Sequence, residues 1–295
     1  MNTPDHRPVL VGVDGSPSAD RALAWAADDA ERRGRPLLVV HALEVPPYDL
    51  PLQALPGFAG SLREAATRTL AEAERAVRAR TPKVEVSTAL VEEHTVRALC
   101  DQAADALEVV VGHRGRGGFA GMMLGSASLR TAERSPAPVV VVRGPEGEHD
   151  VADGAEPGRH GEVVVGLALD GDAAPLEFAF AEAAARGAPV RTVHVSVPPR
   201  LAVDAMRQTA DDERLRWAML EAHAPLRKRF PDVRVDETVV WDDPVTALVE
   251  ASRTAGLVVV GRRHRPGPTW RGLGSVGHGV LHHAACPVAI VPARA

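Results

Sequence analysis

Aromatic side chains are scarce in this 295-residue sequence, in which Phe, Trp and Tyr together make up 3%. A core of this composition has to be built from Val, Leu and Ala. Lysine occurs only at Lys83 and Lys228, so arginine carries nearly all of the positive charge. The formal net charge of −5 gives no general attraction to nucleic acids or anionic membranes, and we expect neither as a partner.

Cysteine and long apolar runs are also lacking. The two cysteines, Cys100 and Cys286, form no CxxC pair, and this usage fits a reducing compartment. No apolar stretch approaches the roughly 20 residues that span a bilayer. The N-terminal residues show no basic segment followed by an apolar run, so we expect no signal peptide. Together these features predict a cytoplasmic protein.

The second half of the sequence repeats the first. Residues 98–142 match residues 247–291 without a gap, and 16 of the 45 positions are identical. Two copies are too few for a solenoid, which needs about three units or more. The stretch 144–161 is rich in Gly, Asp and Glu and has no apolar cluster, which is typical of an exposed linker. We therefore expect a first domain over 1–143 and a second over 162–295.

Each copy alternates short apolar runs with helical patterns. In the first copy the apolar runs predict five strands, at 8–14, 36–43, 84–91, 108–112 and 137–144. Helical periodicity predicts four helices between them, at 17–33, 61–80, 94–107 and 126–135. Continuous apolar strands are typical of a parallel sheet with helices on both faces. The alternation predicts a doubly wound α/β fold in each copy.

The stretch VVVGHRGRGGFAGMMLGSAS (109–128) contains six glycines. Glycine loses more backbone freedom on folding than any other residue, so such a loop is worth ordering only against a partner. In doubly wound sheets, ligands bind beyond the carboxyl ends of the strands, where GVDGS (12–16) also lies. Bare amides, Arg114 and Arg116, and a helix that begins at Gly125-Ser126 favour an anion. The loop predicts a polyphosphate site, with a ligand-free surface turn as the alternative.

Other catalytic and phosphate motifs fit less well. The loop has no lysine for a GxxxxGK[ST] motif, and GRGGFA (115–120) follows the fourth strand rather than the first, which makes it a weak dinucleotide fingerprint. No GxSxG nucleophile turn occurs. Glu92 and Glu93 are interpreted as solvated carboxylates after the third strand. With no evident general base for water, we expect any nucleotide hydrolysis to be slow.

The spacing Gly112-x2-Gly115-x9-Gly125-Ser126 resembles the G-x2-G-x9-G-[ST] ATP-binding signature of the universal stress proteins. The stretches VGVDGS, LLVVHA and APVVVV add to the resemblance, which covers both copies. It implies two tandem doubly wound five-stranded parallel sheets in the order 3-2-1-4-5, related to the adenine-nucleotide α-hydrolases. It also implies an internal pseudo-dimer packed through 137–142 and 286–291.

The same resemblance implies a ligand, ATP accompanied by Mg²⁺. It points to Asp14, with Gly12 beside it, for the nucleoside and to the backbone of Ala42 for adenine. It implies that the ribose, phosphates and metal are bound by residues of the glycine loop and the following helix: Gly112, Gly115, Arg116, Gly117, Gly118, Gly125, Ser126 and Ala127. The metal ligands themselves are left open, and Asp14 could instead only form the turn into the first helix.

The second copy departs from this pattern. It keeps the spacing at three positions, Gly261, Gly274 and Ser275. However, His264 replaces the second glycine, Pro266 and Pro268 stiffen the loop, and Ala168 stands in place of Asp14 with Asp170 two residues later. A Cβ and missing amide donors disfavour a close backbone approach to phosphate, so we expect a degenerate site.

A histidine cluster near the end of the second copy is a possible zinc site. His278 and His282 lie one helical turn apart, which is a spacing that zinc ligands use. The first copy has Leu129 and Glu133 there, so no site is shared between the copies. We interpret these histidines as surface or interface residues.

Three classes of function remain open. The leading one is an ATP-binding regulatory protein of a stress or dormancy response. The second is a slow ATP-hydrolysing enzyme of the adenine-nucleotide α-hydrolase type, although those enzymes use an SGG loop where this chain has VDGSPS. The third is a scaffold without a ligand. An unidentified protein partner and a homodimer of the two-domain chain are compatible with each class.

Overall fold

The computed structural model describes residues 6–44, 58–115, 124–143, 161–196, 205–262 and 272–294. The chain splits into two compact units, Met1–Arg143 and Gly144–Ala295. Arg116, Gly117 and Gly118 lie outside the described residues, as do His264, Pro266, Pro268 and nearly all of the expected linker.

The first unit has five strands and four helices in alternation. Its strands are β1 (Val9–Gly12), β2 (Leu37–Ala42), β3 (Val86–Val91), β4 (Glu108–Gly112) and β5 (Val139–Val142). Its helices are α1 (Pro17–Arg33), α2 (Phe58–Arg80), α3 (Thr95–Gln102) and α4 (Ser126–Arg134). The third helix ends earlier than predicted, because a short 3₁₀ turn (Ala103–Asp105) leads into β4.

The strands of the first unit form a parallel sheet in the order β3-β2-β1-β4-β5, which confirms the predicted order. The first strand lies between β2 and β4, with Val9 in register with Leu37 on one side and Glu108 on the other. The chain therefore winds outward in opposite directions from β1. This reversal opens a crevice at the carboxyl ends of β1 and β4, where ligands bind in this kind of sheet.

Local signals fix both ends of α1. The Ser16 hydroxyl accepts a hydrogen bond from the Ala19 N–H over 3.2 Å, and Pro17 occupies the first turn. Gly34 ends the helix with a left-handed φ of 60°. Ala22 and Ala26 are fully buried and face the sheet, as the sequence predicts. Their small side chains let α1 approach the strands closely.

Valine and leucine fill the core, as the scarcity of aromatics requires. The strand residues Val9, Leu10, Val109 and Val110 are completely buried. Burial of each such side chain contributes about 1.5–3 kcal/mol relative to its exposure. Consecutive buried residues show that both faces of the sheet are covered by helices.

The second unit repeats this arrangement. Its strands are β6 (Val163–Gly166), β7 (Val190–Ser196), β8 (Val235–Trp241), β9 (Leu257–Arg262) and β10 (Val288–Pro292). Its helices are α5 (Ala174–Arg186), α6 (Ala205–Arg229), α7 (Pro244–Ala251) and α8 (Gly274–His283). All strand pairs within the unit are parallel, in the order β8-β7-β6-β9-β10. This is the order of the first unit, position for position.

Candidate functional site

A cleft of about 340 Å³ opens at the carboxyl edge of the first unit, where β1 and β4 diverge. Its volume lies near the lower end of the range for small-molecule pockets, about 300–1,000 Å³. The described residues that line it come from both glycine-containing turns and three helices: Gly12, Val13, Asp14, Ala19, Val40, Ala42, Thr95, Leu99, Val111, Gly112, Arg114, Gly115, Gly125, Ser126, Ala127 and Ser128. The structure thus brings together every predicted site residue that it describes.

Asp14 shapes the turn after β1 and also faces the glycine loop. One of its carboxylate oxygens accepts a hydrogen bond from the Ser16 N–H over 2.9 Å, while Gly15 adopts a φ of 75° that disfavours other residues. A Cβ added to Gly115 would lie 2.8 Å from the other oxygen, Oδ2. Asp14 therefore forms the turn into α1 and also lines the cleft.

Two of the motif glycines pack closely against neighbouring elements, and at Gly112 this packing requires glycine. A Cβ at Gly112 would lie 2.6 Å from the Ser18 carbonyl oxygen, so only glycine lets α1 approach β4 this closely. At Gly12, a Cβ would lie 3.1 Å from a methyl group of Leu99. Sequence reasoning assigned these glycines to the ligand, whereas the structure gives them a packing role as well.

The two described ends of the glycine loop are held together. The Gly125 N–H donates to the His113 carbonyl oxygen over 2.7 Å, and the Ser128 hydroxyl donates to the Gly112 carbonyl oxygen over 2.6 Å. These bonds place the start of α4 beside the end of β4. Gly125, the residue that precedes the helix, has no side chain to cover the first amides of α4. Those amides and the helix dipole favour a negative charge at this end of the cleft.

The opposite end of the cleft is apolar. Val40 and Leu99 line it together with Ala42, the last residue of β2. Arg114 and Asp14 supply the charged side chains among the described lining residues. A ligand with a flat apolar portion and an anionic tail matches this polarity.

Glu44 and Thr95 connect two walls of the apolar end. The carboxylate of Glu44 accepts a hydrogen bond from the Thr95 N–H over 2.8 Å. That backbone hydrogen bond is the main reason why the pKa of Glu44 lies below its usual value, with a smaller contribution from the nearby His94. Sequence reasoning missed Glu44, because its partner lies 51 positions away in the sequence.

Ser18 and His113 are buried beside the cleft without lining it, and sequence reasoning missed both. The Ser18 Oγ lies 3.0 Å from His113 Nδ1, and both side chains are buried. The Arg114 N–H also donates to the Ser18 Oγ, over 3.2 Å. The position of Ser18 inside the first turn of α1 is the available signal, since a buried polar side chain there needs a partner.

The second unit builds its corresponding turn differently. Asp172 accepts hydrogen bonds from the Ala174 N–H over 2.6 Å and from the Arg294 N–H over 3.0 Å. The Arg294 side chain in turn pairs with Glu177. A Cβ at Gly261 would lie 2.9 Å from the Pro175 ring. Polar groups of the turn after β6 are thus engaged by the C-terminal segment of the chain.

The histidines of α8 contact one another. The ring centroids of His278 and His282 are 4.5 Å apart, and those of His282 and His283 are 6.2 Å apart. Within the described parts of the chain, no further His, Cys, Asp or Glu completes a metal-binding group with them. In the first unit, Glu92 accepts a hydrogen bond from Arg63 of α2 over 2.8 Å. Among the helices that the structure describes, none is both long and apolar enough to cross a bilayer.

The comparisons with known proteins agree with this architecture. The sequence profile of the universal stress protein family matches residues 6–143 and again residues 161–292. A universal stress protein of Mycobacterium tuberculosis is 35% identical over 298 residues, covering 96% of each chain. One from Mycolicibacterium smegmatis is 32% identical over 301 residues, covering 97% of each.

A solved structure shows the same fold over the whole chain. The crystal structure of a universal stress protein from Archaeoglobus fulgidus superposes with a TM-score of 0.71 at 18% identity, covering 97% of this chain and 98% of the other. The doubly wound units and the two profile matches define a tandem α/β protein. The chain belongs to the universal stress protein family.

Proposed function

We propose that the first unit binds ATP in its cleft and that the chain acts as a nucleotide-dependent regulator. The main support for this proposal is the polarity of one continuous cleft, which joins an apolar end at Val40 and Leu99 to the backbone of Gly115 and the uncapped start of α4. Adenine would occupy the apolar end, where the Ala42 backbone offers hydrogen-bonding groups. The phosphates would face the glycine loop and the first turn of α4.

Asp14 has a place in this arrangement. It lies between the two ends of the cleft, and its Oδ2 side borders Gly115. A ribose hydroxyl is a donor that a carboxylate accepts well. In the proposal, Arg116, Gly117 and Gly118 extend the phosphate cradle beyond the described residues.

The cleft residues also fit a magnesium ion that accompanies ATP. Mg²⁺ prefers oxygen ligands and is commonly held by one or two protein oxygens together with substrate phosphates. Ser126, the first residue of α4, lines the cleft and offers a hydroxyl oxygen at the end that favours a negatively charged ligand. When bound, the ion would neutralise phosphate charge.

Binding is favoured over rapid turnover by the side chains that line the cleft. Of the described lining residues, Asp14 is the one with a carboxylate, and one of its oxygens already accepts the Ser16 N–H. A general base for water needs a free, well-placed acceptor. The proposed role is therefore regulation through occupancy, in a response to stress or dormancy.

The proposal is tested on the purified full chain. Denatured protein is analysed by chromatography for released nucleotide, and thermal unfolding is measured with and without millimolar Mg-ATP. At a ligand concentration of about 100 Kd, binding should add roughly 2.7 kcal/mol to the free energy of unfolding. A thermal midpoint that does not move, together with no released nucleotide, would refute ATP binding.

A further inference from the structure

We infer that Ser18 and His113 form a latch that holds the start of the glycine loop in the shape that receives phosphate. The inference rests on the proposed function, because it concerns the same cleft. Neither side chain belongs to the described lining of the cleft, and both are buried behind it. They are therefore positioning residues, which act through the backbone that they hold.

The side chains of the latch connect α1 to the loop. Ser18 Oγ lies 3.0 Å from His113 Nδ1 and accepts the Arg114 N–H over 3.2 Å. Because Oγ accepts from Arg114, its own proton is available for Nδ1 when the imidazole is neutral with its proton on Nε2. The chain of bonds then runs from the loop backbone through a helix hydroxyl to a buried ring.

The backbone of His113 ties the same point to two further elements. Its N–H donates to the Val142 carbonyl oxygen of β5 over 3.1 Å, and its carbonyl oxygen accepts the Gly125 N–H over 2.7 Å. One residue thus connects β5, the start of α4 and, through its side chain, α1. The peptide between Arg114 and Gly115 follows directly and borders the cleft.

The second unit shows that the fold does not require this latch. Pro175 faces Gly261 there, as Ser18 faces Gly112, and a proline ring has no hydroxyl. The residue after Gly261 is Arg262, where the first unit has His113. Both members of the latch are replaced in the copy whose nucleotide motif is degenerate, although the strand order is unchanged.

The function that remains for the latch is preorganisation. Without the bond from Arg114 to Ser18, the first peptide units of the loop gain freedom that ATP would have to remove on binding. Loss of one such buried hydrogen bond should weaken binding roughly 3- to 10-fold. The loss should fall on ligands that carry phosphates, since the latch holds the loop backbone at Arg114 and neither of its side chains lines the cleft.

Calorimetric titration of the full chain with ATP and with adenosine tests the latch. Ser18→Ala and His113→Leu should weaken ATP binding about 3- to 10-fold and change adenosine binding less than about 2-fold. His113→Asn, which can place a polar atom near the position of Nδ1, should retain most of the ATP affinity. Ser135→Ala is the matched control: this buried serine bonds to Ala137 in the turn before β5, at the opposite edge of the sheet.

Two results would overturn the latch: unchanged ATP affinity in Ser18→Ala and His113→Leu, or equal weakening of ATP and adenosine. If the wild-type chain binds no ATP, the proposed function is wrong, and amide hydrogen exchange then decides on the latch. Exchange of the Arg114 amide should be about tenfold faster in Ser18→Ala than in wild type, relative to Val110 of β4. An unchanged Arg114 rate would contradict the latch without any ligand.

Discussion

Glu44 caps a helix to which it does not belong. Its carboxylate accepts the N–H of Thr95, the first residue of α3, whereas His94 before the helix makes no side-chain capping bond. In the second unit, Asp243 caps α7 locally, accepting the N–H groups of Val245 and Thr246 at 3.0 Å each. The first unit therefore caps α3 with a residue that lies two positions after β2, whereas the second unit caps α7 with a residue of the turn itself. Because Thr95 lines the cleft, this cap also fixes the position of one cleft wall.

Replacement of Glu44 should lower the stability of the first unit. A new capping residue directly before α3 should restore that stability. We expect Glu44→Ala to lower the free energy of unfolding by about 0.5–1 kcal/mol, as the loss of a helix cap does. Adding His94→Asp supplies the residue that the second unit has at this place and should recover most of the loss. Urea unfolding of the single and double variants measures both effects. A double variant no more stable than Glu44→Ala would show that the Thr95 bond is not a capping interaction.

The same cap should respond to acid. The Thr95 backbone bond lowers the pKa of Glu44 in the folded state, so the folded chain binds fewer protons there than the unfolded chain. The contribution to stability is complete above the ordinary pKa near 4.5 and is lost as the pH falls through the lower folded value. The difference in stability between wild type and Glu44→Gln should therefore be larger at pH 7 than at pH 3. A difference that does not change with pH would contradict this account.

His223 should make the stability of the second unit depend on pH in a less acidic range than Glu44 does for the first unit. Its ring is fully buried among Phe180 of α5 and Glu237 of β8, with Nε2 2.9 Å from a Glu237 oxygen. Burial is the main cause that lowers the pKa of His223, assisted by Arg227 and opposed by Glu237. The unfolded chain binds the proton more readily, so stability should fall as the pH drops through and below the ordinary value of 6.5.

The test of His223 compares wild type with His223→Gln, which keeps a polar side chain without titrating in this range. Thermal unfolding midpoints between pH 7.5 and 5 should fall more steeply in wild type than in the variant. Parallel slopes in wild type and His223→Gln would remove His223 from the explanation.

Replacement of Gly112 should mainly lower stability, whereas replacement of Gly115 should mainly weaken ATP binding. Gly112→Ala places a Cβ against backbone atoms of Ser18 that cannot move independently, and overpacking of this kind costs typically about 1–3 kcal/mol of stability. Gly115→Ala instead meets the terminal Asp14 Oδ2, which can rotate away. We therefore expect Gly112→Ala to lower the unfolding midpoint, and Gly115→Ala to weaken ATP binding with a smaller effect on the midpoint. Unfolding scans and ATP titrations of both variants check the contrast; equal losses of stability would contradict it.

Local and periodic signals predicted most of the fold. The apolar runs at β1 and β4, the cap at Ser16 and the helix start at Gly125-Ser126 all depend on residues close together in the sequence, and the structure confirms them. The strand order followed from the resemblance. The pairing of the two last strands stays a prediction, as do the roles of the site residues.

Contacts between distant residues could not be predicted in this way. The bond of Glu44 to Thr95 and the contact of Ser18 with His113 join residues 51 and 95 positions apart, and no periodic pattern marks them. The packing role of Gly112 could not be predicted either, because it depends on α1 packing against β4. The end of α3 at Gln102 was also missed, because the sequence after it remains compatible with a helix.

Calorimetric titration of Mg-ATP into the full chain and two matched serine variants measures how many ATP sites the chain has and which unit holds them. Ser126 and Ser275 occupy corresponding positions at the starts of α4 and α8. We expect one binding site per chain, weakened roughly 3- to 10-fold by Ser126→Ala and unchanged by Ser275→Ala. Absence of binding heat, or a site lost with Ser275→Ala and kept with Ser126→Ala, would contradict an ATP site in the first unit.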